Sequence, residues 1–413
     1  MSEILFLCHR VPFPPDRGDK IRSWNILRRL ARIAPVHVAA FADDLRDMGF
    51  AGALDEVTAS TRLVLRDVSR PLAGLRGLAS GRALSLALFD HPQMHAYVAR
   101  ILEERPISAV FVYSGQMAQY VPTLPSGTRF IMDFVDMDSA KFAAYGRNGF
   151  GPMAWLNRRE GRCLFQFERQ IAARADASLF VSEAEAALFR EATAMGRSRV
   201  KAFENGVDLQ YYKPAADFAP LKVTERGQGP LLVFTGQMDY RPNVEAVESF
   251  ARRSFPQIRN RHANARFAIV GRNPAPAVRA LAALPGVVVA GAVPDVRGWL
   301  AAADVVVAPL QLARGIQNKV LEAMAMARPV IASPQAAEGI DAVDGRDIIV
   351  ANSGEDETAA ILALLENKSR AVHIASAARA RMEARYSWAA TLKDLPEIIG
   401  MPSPATGKLG RVA

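Results

Sequence analysis

The chain has 413 residues, of which 50% are hydrophobic and 23% charged, a composition typical of folded rather than disordered proteins. This length exceeds one ordinary hydrophobic core and predicts two domains of about 200 residues each. The formal net charge of +9 suggests an anionic partner, which could be nucleic acid, nucleotide phosphate or an acidic lipid surface.

The two cysteines exclude several classes of protein. Cys8 and Cys163 are far apart in the sequence, so neither a disulfide framework nor a cysteine zinc site is expected. The first residues lack the long apolar stretch of a signal peptide, and no later segment has the ~18 apolar residues of a membrane span. We therefore expect a cytoplasmic protein.

Short apolar runs alternate with helical stretches along the whole chain. This alternation predicts an α/β fold with parallel sheets covered by helices on both faces. The predicted strands of the first half are Ile4 to Cys8, Val36 to Phe41, Arg62 to Leu65, Ala109 to Tyr113, Arg129 to Phe134, Ala177 to Val181 and Val200 to Phe203. Those of the second half are Leu231 to Thr235, Arg266 to Val270, Val287 to Ala290, Val305 to Pro309, Pro329 to Ala332 and Ile348 to Val350.

The stretch between the two series of strands is polar and rich in glycine and proline, which is typical of a linker. We predict an N-terminal domain over residues 1–210, a linker over 211–230 and a C-terminal domain over 231–385. A C-terminal helix over 386–400 that packs back on the N-terminal domain and a mobile tail over 401–413 complete the prediction. Because ligands bind beyond the carboxyl ends of parallel strands, two such domains would face a central cleft.

The segment after the strand Val305 to Pro309 has the features of a phosphate site. Gly315 allows close backbone approach, and a helix starting near Ile316 would direct free N–H groups at a phosphate. Arg314 and Lys319 add positive charge that suits a diphosphate. Glu322, one turn into the helix, could accept hydrogen bonds from a ribose diol, or it could be a solvated surface residue.

An ordered set of motifs resembles the group 1 (family 4) glycosyltransferases of the GT-B fold, and more narrowly the sugar transferases associated with PEP-CTERM/exosortase systems. The motifs are Pro12 to Lys20, Val181-Ser182-Glu183, Asn205-Gly206-Val207-Asp208, Phe234-Thr235-Gly236, and the stretch through Glu322 and Pro329-Val330.

The resemblance implies two Rossmann-like domains and transfer of a hexose, with retention, from a nucleotide sugar to a glycan or lipid-linked acceptor in exopolysaccharide or cell-envelope synthesis. It implies no cofactor and no metal, the nucleotide sugar being a substrate. The donor-binding residues that it implies are Gly236, Arg241, Asn243, Gly315, Gln317, Asn318 and Glu322.

The sequence departs from the family pattern at two places. Counting eight positions back from Glu322, where the family usually has a second glutamate, leads to Arg314. The usual Gly-Arg pair with a later lysine is replaced by the segment Gly236 to Asn243. Because a departing nucleoside diphosphate builds up negative charge, we assign its stabilisation to Arg314 and Lys319, with Arg241 as a further candidate.

The first strand leads into a proline-rich loop that we assign to the acceptor side. By the resemblance, Gly18 would allow this loop to lie close to the cleft and Asp19 would bind a sugar hydroxyl. Asp19 could equally be the N-cap of a helix beginning at Lys20. His9, at the end of the strand, is a candidate cleft residue or a polar loop histidine.

Three carboxylates, Asp133, Asp136 and Asp138, come at the end of another predicted strand. Asp136 could orient or deprotonate the acceptor hydroxyl, because transfer benefits from a base within hydrogen-bond reach. Helix capping at Ser139 and local salt bridges are the alternative. The Asp-x-Asp spacing superficially matches a metal motif, but few other hard ligands support a metal site.

The predicted helix Lys20 to Ile33 carries Arg22, Arg28, Arg29 and Arg32 beside an apolar stripe. Such a helix could contact the inner face of the membrane at its periphery, or it could pack its stripe on the core and leave the arginines solvated. A second basic stretch runs from Arg70 to Arg82.

Other functions compete with glycosyl transfer. A dehydrogenase is disfavoured because no GxGxxG follows the first strand, and no P-loop motif occurs. A nucleotide-sugar epimerase on the same fold and a non-catalytic scaffold of polysaccharide assembly remain alternatives. Nucleic acid is not expected as a partner, because the basic residues are dispersed and no stacking aromatics interleave with them.

Overall fold

A computed structural model describes residues 2–68, 70–147, 150–215, 217–313 and 316–401. The chain divides into two compact units. Unit 1 comprises Met1–Asn205 and Leu392–Ala413, and unit 2 comprises Gly206–Thr391. Within the described ranges, no helix has the length and apolar character needed to cross a bilayer.

Unit 1 is built on a seven-stranded parallel sheet with the strand order β3-β2-β1-β4-β5-β6-β7. Its central strands are buried on both faces, as the continuous apolar runs predict. The strands are β1 (Glu3–Cys8), β2 (Val36–Ala42), β3 (Ser60–Leu65), β4 (Ile107–Tyr113), β5 (Arg129–Val135), β6 (Ala177–Phe180) and β7 (Val200–Ala202).

Unit 2 has a six-stranded parallel sheet with the order β10-β9-β8-β11-β12-β13. Each of the thirteen predicted strands is therefore present, with ends that shift by at most two residues, and the α/β prediction is confirmed. The strands are β8 (Leu231–Thr235), β9 (Arg266–Val270), β10 (Val287–Gly291), β11 (Val305–Ala308), β12 (Val330–Ala332) and β13 (Ile349–Val350).

Helices connect the strands in both units. Unit 1 contains α1 (Gly18–Ala31), α2 (Leu45–Met48), α3 (Ala51–Asp55), α4 (Arg70–Ala79), α5 (Leu84–Ala87), α6 (Pro92–Glu104), a 3-10 turn (Gly115–Tyr120), α7 (Asp138–Arg147), α8 (Gly151–Arg174) and α9 (Glu183–Thr193). Unit 2 contains α10 (Val223–Arg226), α11 (Arg241–Ser249), a π-helical turn (Phe250–Ser254), α12 (Phe255–Arg261), α13 (Pro276–Ala280), a 3-10 turn (Leu281–Ala283), α14 (Arg297–Ala302), α15 (Asn318–Ala325), α16 (Pro334–Ala337), α17 (Gly354–Glu366), α18 (Lys368–Arg381), a second π-helical turn (Met382–Tyr386) and α19 (Trp388–Thr391).

The stretch predicted as a linker, 211–230, lies inside unit 2. Arg226 donates to Asp304 at 2.8 Å, and the Arg297 guanidinium lies 3.9 Å from the centroid of the Tyr211 ring. Glycine and proline mark a surface loop packed on a domain as strongly as they mark a linker, so the sequence could not separate the two.

The C-terminal segment also differs from the prediction of one helix over 386–400. The structure has two short helices there, α19 in unit 2 and α20 (Leu395–Ile398) in unit 1. Helix α20 contacts α1, and Leu395 and Ile399 are buried. The tail predicted over 401–413 lies outside the described residues from residue 402 onward.

Candidate nucleotide-sugar site

The strand order of unit 2 reverses direction between its two central strands, β8 and β11. In open parallel sheets, ligands bind beyond the carboxyl ends of the strands at such a switch point. Gly236 directly follows β8, and the loop after β11 leads into α15, which carries Lys319 and Glu322. The topology therefore brings the predicted donor residues of two distant stretches to one edge of the sheet.

Two glycines allow the backbone to pack closely at this edge. A Cβ on Gly271 would lie 1.6 Å from the carbonyl oxygen of Gly236, which no side chain could tolerate. A Cβ on Gly236 would lie 2.8 Å from Asn243 Nδ2 and 3.3 Å from Lys319 Nζ. Glycine at 236 thus lets Asn243 and Lys319 reach the end of β8.

Lys319 is held in place by two contacts. Its Nζ donates to Asn243 Oδ1 at 2.5 Å and lies 4.5 Å from the centroid of the Phe234 ring. Asn243 is itself fixed, because its Nδ2 donates to the carbonyl oxygen of Gln237 at 2.8 Å. Burial lowers the pKa of Lys319 to about 8, an effect that the nearby carboxylate of Glu322 opposes. The result is a preoriented cation at the switch point.

Glu322 lies on the same helix and is half-buried. Burial raises its pKa to about 7, although a hydrogen bond from Tyr212 and the charge of Lys319 oppose the shift. Burial and the Glu322 carboxylate together raise the pKa of Tyr212, so the hydroxyl stays a donor. Tyr212 was missed by the sequence analysis, because it falls in the stretch predicted as a linker and carries no motif.

The other predicted donor residues have different positions. Helix α15 begins at Asn318, which is exposed, with Gln317 as its N-cap residue. Arg241 is 85% exposed at the start of α11 and pairs with Glu245 at 2.7 Å rather than with the Lys319 cluster. The predicted residues Arg314 and Gly315 lie outside the described residues.

Unit 1 has its own switch point, between β1 and β4, and His9 directly follows β1 there. The His9 ring stacks on Tyr113 with the ring centroids 5.6 Å apart. Asp19 lies 2.8 Å from Arg10, 3.5 Å from His9 and 3.2 Å from Arg17. Partial burial would raise the pKa of Asp19, but hydrogen bonds from His9 and Arg10 and the charge of Arg17 hold it well below its usual range.

One expectation for this loop is corrected by the structure. Helix α1 begins at Gly18, so Asp19 lies in its first turn and is not the N-cap, a position that Arg17 occupies. A Cβ on Gly18 would meet no atom of the described chain within 4 Å, and the close approach of Gly18 to the cleft stays a prediction.

Two strand ends at the same edge of the sheet as His9 have unusual backbone conformations. Ser114, after β4, has φ = 78°, and Val135, at the end of β5, has φ = 71°. A β-branched residue rarely adopts this left-handed region, and such strain clusters at functional sites. Asp138, just beyond, accepts from Gln116 Nε2 at 3.4 Å, and burial raises its pKa. The predicted base Asp136 is exposed.

Arg22, which the sequence grouped with the exposed basic residues of its helix, is buried instead. Its guanidinium lies 3.0 Å from Asp133, and it donates to Asn205 at 3.0 Å. Asp133 is fully buried as well, and burial raises its pKa although the Arg22 charge opposes this. This pair therefore belongs to the core, while Arg28 and Arg32 are exposed.

Among the described residues, no three histidine, cysteine, aspartate or glutamate side chains form a group that could hold a metal ion.

The fold of this chain is similar to that of several solved structures. Solved structures with the same fold over nearly the whole chain include HepE of Anabaena in complex with UDP and glucose, which is 15% identical with a TM-score of 0.63 and 96% of this chain and 99% of that chain covered. Sucrose-phosphate synthase of Thermosynechococcus elongatus is 15% identical, with a TM-score of 0.65 and 96% and 98% covered. WaaG, a glycosyltransferase involved in lipopolysaccharide biosynthesis, is 18% identical, with a TM-score of 0.62 and 96% and 100% covered. The chain has the GT-B fold, with two Rossmann-like parallel-sheet domains.

The family match lies in unit 2. Residues 229–367 match the family model described as glycosyl transferases group 1, a range that includes Gly236, Asn243, Lys319 and Glu322. No curated protein sequence matched the chain.

Proposed function

We propose that this protein is a glycosyltransferase that binds a nucleotide-sugar donor in unit 2 and a hydroxyl acceptor in unit 1. The observation that carries the proposal is the cluster of Gly236, Asn243, Lys319 and Glu322 at the β8/β11 switch point, inside the range matched by the group 1 family model. HepE, which has the same fold, was solved with UDP and glucose, which supports a UDP-sugar as the first donor to test.

The chemistry of the cluster suits an activated sugar. The Glu322 carboxylate offers acceptors to a ribose diol, and Lys319 offers a charged donor to the diphosphate. As the bond to the sugar breaks, negative charge accumulates on the departing diphosphate, and a preoriented cation stabilises that charge without reorganisation. Arg314 is proposed as a second cation for the same purpose.

On the acceptor side we propose His9, Asp19 and a carboxylate base. Asp136 is the base proposed from the sequence, and Asp138 is a second candidate, because its pKa is raised by burial and it hydrogen bonds to Gln116. A base needs a pKa close to the working pH and a position within hydrogen-bond reach of the acceptor hydroxyl.

The finer assignments are also proposals: hexosyl transfer with retention, a glycan or lipid-linked acceptor, a role in exopolysaccharide or envelope synthesis of the PEP-CTERM type, no need for metal, and peripheral contact with the membrane. The shared fold with WaaG supports an envelope role, and the exposed Arg28 and Arg32 support membrane contact.

A thermal-shift panel of UDP-, GDP-, ADP- and dTDP-sugars tests the donor proposal, because a ligand that binds only the native state raises its Tm. We expect Glu322→Ala to abolish the shift without unfolding the protein, and Glu366→Ala, an exposed acid in unit 2, to leave it unchanged. An equal shift in Glu322→Ala would contradict the proposed ribose contact. Product analysis then separates transfer from epimerisation, and turnover separates both from a silent scaffold.

A further inference from the structure

A polar hollow lies in unit 1 at the edge of the sheet where the strands begin, opposite the strand ends that carry His9 and Ser114. The hollow has a volume of about 360 Å³ and contains His37 of β2, Ser60 of β3 and Tyr97 of α6. Three arginines, Arg62, Arg100 and Arg105, also line it. Neither the proposed donor site nor the proposed acceptor site uses any of these residues.

A chain of hydrogen bonds forms the floor of the hollow. Glu3 Oε2 lies 2.8 Å from His37 Nε2, and His37 Nδ1 lies 2.7 Å from Ser60 Oγ. Ser60 Oγ in turn lies 3.1 Å from the Tyr97 hydroxyl. Glu3 and His37 are both more than 90% buried, so this floor is fixed by the fold.

The negative charge in the floor is already neutralised. Arg105 grips the Glu3 carboxylate with two hydrogen bonds of 2.7 and 2.8 Å. These bonds hold the pKa of Glu3 below its usual value, although burial opposes the shift. The pair is neutral as a whole, so the charge of the remaining lining residues decides which ligand the hollow favours.

That charge is positive. Among the described residues, the Arg62 guanidinium donates only to the neutral side chain of Gln93, at 3.2 Å. Arg100 lies 3.8 Å from Glu104, a weak exposed pair, and its guanidinium lies 5.5 Å from the centroid of the Tyr97 ring. Both guanidinium groups retain N–H donors, and paired arginine forks match the geometry of phosphate oxygens.

A second hollow of about 490 Å³ adjoins the first at Ala59 and is lined by Arg28, Arg32 and Glu56. Within the described chain, neither Arg28 nor Arg32 forms an ion pair or a side-chain hydrogen bond. The basic surface therefore extends beyond the first hollow.

We propose that the hollow lined by Arg62, Arg100, Ser60 and Tyr97 binds a phosphate group, carried either by a soluble phosphate ester or by the headgroup of an anionic lipid. This site is independent of the proposed glycosyl transfer, since it lies at the other edge of the unit 1 sheet.

The Tyr97 hydroxyl adds a neutral hydrogen-bonding group to the hollow. Burial raises the pKa of Tyr97, so its hydroxyl keeps its proton.

Calorimetric titration of the full chain with glycerol 3-phosphate tests the site. We expect Arg62→Gln/Arg100→Gln to weaken binding about tenfold or more, because the two guanidinium groups supply the charge-assisted hydrogen bonds to the phosphate. Arg162→Gln/Arg169→Gln, which removes the same charge from exposed positions on α8, should bind as the wild type does. Absence of binding, or an equal loss in the α8 control, would overturn the proposal.

Co-sedimentation with phosphatidylcholine vesicles, with and without phosphatidylglycerol, separates the two sources of phosphate. A lipid headgroup requires binding to the anionic vesicles alone, weakened in Arg62→Gln/Arg100→Gln and also in Arg28→Gln/Arg32→Gln. A soluble ester requires no vesicle binding, and unchanged glycerol 3-phosphate binding in Arg28→Gln/Arg32→Gln. Vesicle binding that neither double variant weakens would count against the hollow as the site.

Discussion

The ammonium group of Lys319 donates a hydrogen bond of 2.5 Å to the amide oxygen of Asn243, although the two residues lie on different helices, α15 and α11. The contact fixes the cation beside Gly236, at the end of β8, where we propose that the donor diphosphate binds.

Replacing Lys319 with Gln removes the cation and should lower kcat about 10²- to 10³-fold, the usual effect of losing one electrostatic stabiliser of the transition state. Asn243→Ala keeps the Lys319 charge but removes the hydrogen bond that positions it, so we expect a smaller decrease in kcat, of about tenfold. Steady-state kinetics of sugar transfer measure both. Asn260→Ala, at an exposed position on α12, is the matched control for Asn243→Ala, and an equal or larger loss in Asn260→Ala would contradict the positioning role.

The affinity for the donor should be highest near neutral pH and should fall on both the acid and the alkaline side. We call these two falls the acid limb and the alkaline limb of the pH profile. Glu322 accepts from the ribose only when ionised, so affinity should fall as pH drops below about 7. Lys319 carries its charge only when protonated, so affinity should also fall as pH rises above about 8. Kd of a nucleotide sugar, whose diphosphate diester does not titrate in this range, gives the profile. Glu322→Gln should lack the acid limb, and an acid limb that survives in this variant would assign it to another group.

Tyr212→Phe should move the acid limb of this pH profile to higher pH. The hydrogen bond from Tyr212 favours the ionised form of Glu322, so its loss raises the pKa of the carboxyl further. Donor affinity at pH 7 should then fall several-fold, by about 1 kcal/mol for the lost bond. Tyr211→Phe is the matched control, because the Tyr211 hydroxyl contacts Asp295, at 3.3 Å, instead of Glu322. Identical profiles for the two variants would exclude the Tyr212 contact.

Removing one partner of the buried pair in unit 1 should be strongly destabilising. Asp133→Ala leaves the Arg22 guanidinium charged and buried, at a cost of about 3–5 kcal/mol in the free energy of unfolding. Urea denaturation followed by circular dichroism measures the loss. Asp136→Ala, at an exposed position three residues on, should change stability by about 0.5 kcal/mol or less. A loss in Asp133→Ala as small as in this control would contradict the core role of the pair.

The two candidate bases can be separated by their effects on catalysis. If Asp138 accepts the proton of the acceptor hydroxyl, Asp138→Asn should lower kcat about 10²-fold or more and leave donor binding unchanged. Asp136→Asn should then have little effect, in keeping with its exposure. Transfer rates together with donor Kd values decide between them, and the reverse pattern would assign the role to Asp136.

The elements that carry the proposed donor residues could be predicted from the sequence because their signals are local. A buried strand, a glycine-bearing loop and a helix with Lys319 and Glu322 follow one another within a few residues of the chain. Gly236 and Asn243 could be added only through the family resemblance. The candidate base on the acceptor side was harder to predict from the sequence. Asp136 and Asp138 have the same residue type and similar neighbours in the chain, and only their burial in the fold differs.

The environment of Arg22 could not be predicted from the sequence. Its spacing on α1 is that of a solvated basic residue, yet its partner Asp133 lies on β5, 111 positions away. No local pattern indicates such a pair, and the basic surface of the helix is smaller than the sequence suggests.

The sequence alone determined the two series of parallel strands and the helix that carries Glu322, because strands buried on both faces require continuous apolar runs that are visible in the chain. Only the tertiary structure decided which polar groups meet: Tyr212 with Glu322, Asn243 with Lys319, Asp133 with Arg22, and His37 with Ser60. Those contacts depend on strand order and helix packing, which bring distant residues together, and they set the charges and pKa values on which the proposed chemistry depends.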